Sequence, residues 1–113
     1  MATIDFNNKT FSLIDNSENG KVNADTIFEY KQQGHVVTAD YYGGTVTYGK
    51  IIAILKGDIL DMRYQCITSD NQLKTGKAIA TISTLENGKI KLALNWEWLD
   101  DSNAKGTSVY LEH

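Results

Sequence analysis

A single cysteine in this 113-residue chain is the first side chain whose type could do chemistry. Cys66 would act as a nucleophile only beside a base or a cation that lowers its pKa, and the residues near it in sequence supply neither. It shares a parity with Leu60, Met62 and Tyr64 in an alternating segment. We therefore expect Cys66 to be a small core residue rather than a catalytic one.

The other polar candidates lack the partners that catalysis or metal binding requires. His35 follows Gly34 at the start of a segment, a position typical of a solvated turn residue. Without a second histidine or a cysteine pair nearby, it predicts no structural zinc site. Asp100 and Asp101 lie in a polar stretch and are interpreted as solvated loop carboxylates. We therefore predict no catalytic residue, no metal and no cofactor.

Two short stretches match ligand-binding loops only in part. Residues 44–50 satisfy the first seven positions of the phosphate-loop pattern, but Ile51 stands where a serine or threonine must bind the metal. Residues 15–20 resemble the start of a calcium loop, but Thr26 stands where the bidentate glutamate belongs. Both stretches are better interpreted as connections between strands.

Apolar residues recur with a period of two, which predicts strands with one apolar face. The clearest segment places its apolar residues on one parity, at Ile90, Leu92, Leu94, Trp96 and Trp98. Eight such segments are predicted between Gly, Asn and Asp turns, at residues 9–15, 24–32, 35–42, 45–55, 58–68, 72–83, 89–98 and 105–110. The chain contains no proline, which agrees with nearly continuous strand pairing.

Eight strands joined by short turns must bury their apolar faces together. A meander does so by closing on itself, which also removes exposed sheet edges. We predict one all-β domain over residues 1–110, an eight-stranded antiparallel up-and-down barrel, with a two-sheet sandwich as the alternative. Loss of alternation after Gly49 predicts either a bulge there or a strand covered on both faces. Residues 111–113 look like the start of a purification tag.

Aromatic residues with the inward parity are the candidates for ligand binding. A barrel of this size is either filled by side chains or holds one small ligand. Buried tyrosine and tryptophan usually need hydrogen-bond partners, so they build either a polar-bottomed pocket or a self-satisfied core. The sequence leaves both alternatives open. The candidate residues are Phe28, Tyr30, Tyr41, Tyr64, Trp96 and Trp98.

Charge and hydropathy restrict the partners. A formal charge of −3 without a basic cluster argues against nucleic acid and anionic membranes. No apolar run approaches the ~20 residues that span a bilayer. The first residues lack the basic start and apolar stretch of a signal peptide, so we expect a cytoplasmic protein.

Two resemblances point to known barrels. Residues 88–109 are similar to the final strand–loop–strand of avidin and streptavidin, with Trp98 at the position of the strand-end tryptophan that packs on the ligand. The chain also resembles a family of small uncharacterised bacterial proteins with an avidin-like barrel, often labelled N-acetylglutamate synthase, in residues 16–20, 26–32, 41–44, 62–64, 88–90 and 96–98. This resemblance implies an avidin/streptavidin-like barrel of the calycin type.

These observations predict a non-catalytic barrel that binds a small molecule. Other polar residues that contact biotin in avidin have no clear match here, so biotin is not the predicted ligand. The first alternative is a homo-oligomeric interaction module, with outward Val46, Tyr48, Ile52 or Ile54 forming the interface. The second is the acetyltransferase of the family label, which lacks the Gly-rich turn and following helix that usually bind a pyrophosphate.

Overall fold

The chain forms a closed barrel of eight antiparallel strands, seen in a computed structural model that describes residues 4–16, 25–99 and 104–113. Each strand pairs with the next, and the last pairs with the first. The predicted barrel is confirmed and the sandwich alternative is wrong. The strands are β1 (Thr10–Asn16), β2 (Ile27–Gln33), β3 (Val36–Gly43), β4 (Val46–Lys56), β5 (Ile59–Thr68), β6 (Leu73–Thr84), β7 (Ile90–Trp98) and β8 (Lys105–Glu112).

Alternation of side chains explains why this sequence closes into a barrel. Along β7 every second residue is buried, from Ile90 to Trp98. Since each strand buries one face in this way, closure covers all the apolar faces and pairs every strand on both edges. Each predicted segment overlaps one of these strands. In the described residues, no helix has the length and apolar character needed to cross a membrane.

Strand β4 differs from the prediction near Gly49. The register shift between β4 and β5 lies between Val46 and Tyr48, before Gly49 rather than at it. This shift turns Val46 inward, where it is 3% exposed, so its predicted outward position is wrong. Beyond Gly49 the alternation continues, with Ile52 60% and Ile54 50% exposed. An apolar strand face in contact with solvent, not a doubly covered strand, explains the continuous run of apolar residues.

The two ends of the barrel are defined by their turns. The lower end holds the turns at residues 34–35 and 57–58 and the segment 4–9. The upper end holds the turns at residues 44–45 and 69–72 and the last residue of β7. Gly34 and Gly57 adopt φ of +61°, which only glycine adopts without strain in a two-residue turn. The predicted turn at residues 19–20 and the polar stretch 100–103 lie outside the described residues.

The lower end is closed by residues that precede β1. Segment 4–9 pairs with β2, since the Asn8 N–H donates to the Tyr30 carbonyl at 3.0 Å and the Tyr30 N–H donates to the Lys9 carbonyl at 2.8 Å. This pairing places the Phe6 ring 5.9 Å from Phe11 and 5.4 Å from Tyr30, centroid to centroid. We call Phe6, Phe11 and Tyr30 the lower aromatic cluster. It fills the barrel at this end.

Strand β8 includes two of the three residues that resemble a tag. Leu111 pairs with Ser12, and Glu112 pairs with Phe11. Glu112 also accepts a hydrogen bond from the Ile90 N–H at 3.0 Å and forms an ion pair with Lys9 at 3.3 Å. These residues therefore complete the β1–β8 closure, whatever their origin.

Candidate functional site

A second group of rings occupies the upper half of the barrel. Phe28 stacks on Tyr41 with centroids 4.8 Å apart and meets Tyr110 edge-on at 4.8 Å. Across the lumen, Tyr64 meets Trp98 edge-on at 5.6 Å, and Trp98 lies 6.1 Å from Trp96. We call this set the upper aromatic cluster: Phe28, Tyr41, Tyr64, Trp96, Trp98 and Tyr110.

The predicted site residues divide between the two clusters. All of them belong to the upper aromatic cluster except Tyr30, which packs edge-on against Phe11 at 5.0 Å in the lower one. Tyr30 is 3% exposed and packs against Phe6 and Phe11, so it takes no part in a site at the upper end. Parity along β2 predicted its inward direction, but parity does not give height along the barrel axis.

Three inward residues at this end were not predicted to line a site. Tyr110 and Ser108 share the inward parity of β8 and are 6% and 2% exposed. Their alternation with Gly106 was the available signal. Cys66, 2% exposed, is buried as expected, and its thiol lies within hydrogen-bonding reach of the Tyr41 hydroxyl. The thiol is therefore one of the polar groups beside Tyr41 in the upper aromatic cluster.

Glycines on neighbouring strands hold two tyrosine rings against the wall. Tyr41 pairs with Gly49, and a Cβ atom on Gly49 would lie 2.2 Å from the Tyr41 Cζ atom. Tyr64 pairs with Gly76, and a Cβ atom there would lie 2.6 Å from the Tyr64 Cε2 atom. Each ring thus covers the backbone of its glycine, which keeps it beside the wall instead of across the lumen.

Phenol groups in the upper cluster are held in their neutral form. Burial raises the pKa values of Tyr41, Tyr64 and Tyr110 well above the ordinary value, and Tyr110 further raises the pKa values of Tyr41 and Tyr64. A hydrogen bond with Ser108 opposes this effect at Tyr110. The Tyr41 hydroxyl donates to the Gln65 carbonyl at 3.4 Å. At neutral pH these hydroxyls are hydrogen-bonding groups, not acids or bases.

The two tryptophans have equal burial but different hydrogen bonding. Both are 6% exposed. The Trp96 Nε1–H donates to the Ser108 Oγ at 2.8 Å across the β7–β8 pair. The Trp98 Nε1–H is buried and has no hydrogen-bond partner among the described residues. Burying such a donor unpaired costs about 1–3 kcal/mol, so Trp98 is the position where an added acceptor would stabilise the protein most.

The Tyr64 ring beside Trp98 is partly accessible to solvent. Tyr64 has the inward parity of β5, yet its side chain stays partly exposed, unlike its inward neighbours Met62 and Cys66. At the rim, the Lys74 ammonium lies over the Trp98 ring, 5.9 Å from the ring centroid. The sequence predicted Trp96 deeper and Trp98 nearer the mouth. Trp98, Tyr64 and Lys74 lie together at one side of the upper cluster.

A groove on the outside of the barrel is a different kind of surface. It has a volume of about 440 Å³ and crosses the outward faces of strands β5 to β8. Charged side chains of both signs line it, the exposed Arg63, Lys77 and Lys105 and the partly buried Asp61 and Glu97 among them. Arg63 and Asp61 already pair at 2.9 Å. In the part of the chain that the structure describes, no group of three or more His, Cys, Asp or Glu side chains could hold a metal ion.

Comparison with known proteins agrees with this architecture. No curated protein and no solved structure gave a significant match to the chain. A family model described as avidin-like protein matches residues 4–113, which includes every strand of the barrel and both tryptophans of the upper cluster. Because the match covers nearly the whole sequence, the chain belongs to the avidin-like protein family.

Proposed function

We propose that this protein binds a small molecule, without catalysis, in the upper half of its barrel. The observation that carries the proposal is the buried Trp98 N–H, which has no partner among the described residues and lies beside the partly exposed Tyr64 ring. Pockets for small molecules combine apolar and aromatic walls with a few converging polar groups. The upper aromatic cluster, with its phenols and the Ser108 hydroxyl, has this composition.

The proposal is tested by thermal unfolding in the presence of a broad metabolite library. A ligand at a hundred times its Kd stabilises the folded state by about 2.7 kcal/mol, which is roughly 10 °C in Tm for a domain of this size. Trp98→Ala is expected to remove the increase, measured against the Tm of the variant alone. Tyr42→Ala, an exposed outward aromatic on β3, is the matched control and should keep it. A library without any effect on Tm would refute the proposal.

Catalysis by the acetyltransferase of the family label has less support. Cys66 lies against the Tyr41 phenol, and His35 is exposed in the β2–β3 turn at the lower end, so the two are on different parts of the barrel. A nucleophile without a base within reach has no means of activation. Turnover of acetyl-CoA and glutamate above the uncatalysed rate would contradict a purely binding function. A cytoplasmic location remains a prediction of the sequence.

A second candidate function is self-association through the outside of β3 and β4. Val36 pairs with Ile54 across these strands, and both are about half exposed, at 53% and 50%. Ile52, at 60% exposed, extends the apolar surface along β4. Such a surface is typical of an interface between subunits. Light scattering at tens of micromolar tests this, with Ile54→Lys expected to give a monomer. A wild-type monomer would exclude it.

A further inference from the structure

Trp98 is the one described tryptophan whose indole N–H has no hydrogen-bond partner among the described residues. Its neighbour Trp96 has the same exposed fraction and faces the same lumen, but its N–H is paired with Ser108. The β7–β8 register explains the difference, because Ser108 pairs with Leu94 below Trp96, while the backbone of Trp98 bonds to Ala104 above the last β7–β8 pair. Among the described residues, a hydroxyl is therefore supplied to the Trp96 indole and none to the Trp98 indole.

The groups around the Trp98 indole favour a neutral ligand. Tyr64, which meets the Trp98 ring, is uncharged, and so are Tyr41, Cys66 and Ser108 elsewhere in the upper half of the barrel; no described residue of the upper cluster carries a carboxylate. Burial above all, then Tyr110 and Cys66, and last the outward Glu97 carboxylate raise the pKa of Tyr64, so negative charge is disfavoured at the phenol beside Trp98. A buried ion without a counter-ion is strongly destabilised, whereas a neutral acceptor is not.

Lys74 is a charged group that lies close to the indole. Its ammonium lies over the face of the Trp98 ring. A hydrogen-bond acceptor for Nε1–H must lie in the plane of that ring, away from the face. The same oxygen atom therefore cannot take the indole N–H and pair closely with the Lys74 ammonium. As placed over the ring face, the Lys74 ammonium is therefore not the close counter-ion that an anion bound at Nε1–H would need.

We infer that the ligand of the upper cluster is an uncharged carbonyl compound, such as an amide or a lactam, whose oxygen accepts the Trp98 Nε1–H. This inference rests on the proposed function. It adds that the indole recognises the ligand by donating a hydrogen bond, in addition to packing against it. The phenol group of Tyr64, whose ring meets Trp98 edge-on, supplies a further uncharged donor for the same molecule.

Three near-isosteric probes test the charge of the ligand. Benzamide is neutral, benzoate is an anion and benzamidine is a cation. Toluene, which lacks a hydrogen-bond acceptor, is added as the apolar control. Binding is followed on uniformly ¹⁵N-labelled protein through the two indole N–H signals, which Trp96→Phe and Trp98→Phe assign. We expect benzamide to move the Trp98 indole proton downfield and to bind at least tenfold more tightly than the two ions. The Trp96 indole signal should move little, because its donor stays on Ser108.

The Trp98→Phe variant tests the hydrogen bond itself. It keeps an aromatic ring and removes the donor, so it should weaken benzamide about fivefold to tenfold and leave toluene unchanged. Equal binding of benzoate or benzamidine, or unchanged binding of benzamide by Trp98→Phe, would overturn the inference. Benzoate binding that Lys74→Met abolishes would instead identify an anion site and overturn it too. If no probe moves either indole signal and no library compound raises the Tm, the proposed function fails as well.

Discussion

The two ends of the barrel are built from similar rings but for different purposes. At the lower end Phe6 and Phe11 are fully buried, and their hydrocarbon faces need no partner. At the upper end almost every ring carries a polar atom, and one of these atoms, the Trp98 Nε1–H, is unpaired among the described residues. The difference teaches that aromatic content alone does not identify a site. What distinguishes the upper end is one buried polar group, the Trp98 Nε1–H, that the described residues leave without a hydrogen bond.

The largest expected effect compares truncation of one ring at each end. Phe11→Ala should destabilise the protein by about 3–5 kcal/mol, because it opens a cavity between Phe6 and Tyr30. Tyr64→Ala should cost at least about 1 kcal/mol less, since its ring is partly solvated in the folded state. Urea unfolding monitored by tryptophan fluorescence measures both. Equal losses would mean that the two ends are packed alike.

The next effect is on stability at alkaline pH. Burial raises the pKa values of Tyr30, Tyr41, Tyr64 and Tyr110 above the unfolded value of 10.0. Their contribution is complete below that pH and is lost as the pH rises, because the unfolded chain then releases protons that the folded chain retains. Above pH 10, each tyrosine that stays protonated in the folded state lowers the free energy of unfolding by about 1.4 kcal/mol per pH unit.

Phenolate absorbance and denaturant unfolding between about pH 9 and pH 11 measure this effect. The exposed Tyr42 and Tyr48 should ionise reversibly in the folded protein, although Glu29 and Asp40 raise their pKa values. Tyr30→Phe should reduce the alkaline loss more than Tyr64→Phe does, because Tyr30 is sealed in the lower cluster. Ionisation of all six tyrosines without unfolding would contradict the prediction.

A smaller effect is expected from crowding the wall of the upper end. Gly49→Ala places a methyl group against the Tyr41 ring and should cost about 1–3 kcal/mol while displacing that ring into the lumen. The displaced ring should also weaken any ligand of the upper cluster. Thr81→Ala, an exposed position on β6, is the control and should change stability by less than about 0.5 kcal/mol. Normal stability and binding in Gly49→Ala would show that Tyr41 can move freely.

The smallest effect separates the two tryptophans. Trp96→Phe removes a buried hydrogen bond with Ser108, whereas Trp98→Phe removes a donor that had no partner in the described structure. Trp96→Phe should therefore be the more destabilising of the two by about 1 kcal/mol in the absence of ligand. Urea unfolding gives the difference. A larger loss for Trp98→Phe would mean that its N–H is bonded after all.

Local pattern was enough to predict the architecture. Alternation fixes which face of each strand is buried, and short turns fix antiparallel order, so the closed meander could be predicted before any contact was known. The same reasoning correctly turned Phe28, Tyr41 and Trp98 inward. It could not place Val46, because a bulge shifts parity by one residue, and a bulge depends on how two strands pair.

The site was less predictable because it depends on register. Whether an indole finds a hydroxyl is decided by the offset between β7 and β8, which brings Ser108 to Trp96 and not to Trp98. Likewise, Tyr30 is not part of the predicted site, because segment 4–9, which shows no strand alternation, packs Phe6 against it. Both outcomes involve residues far apart in sequence, and a one-dimensional pattern contains no information about their offset.

The pairing of the first strand with the last has a practical consequence. The His113 N–H donates to the Thr10 carbonyl at 2.8 Å, so the C-terminal residue lies beside the start of β1 at the lower end. A dye, a surface or a fused protein attached through His113 would therefore be held on the side opposite Trp98. Molecules of this protein immobilised by that residue would all present the upper end, with Trp98, to the solution, as a biosensor surface requires.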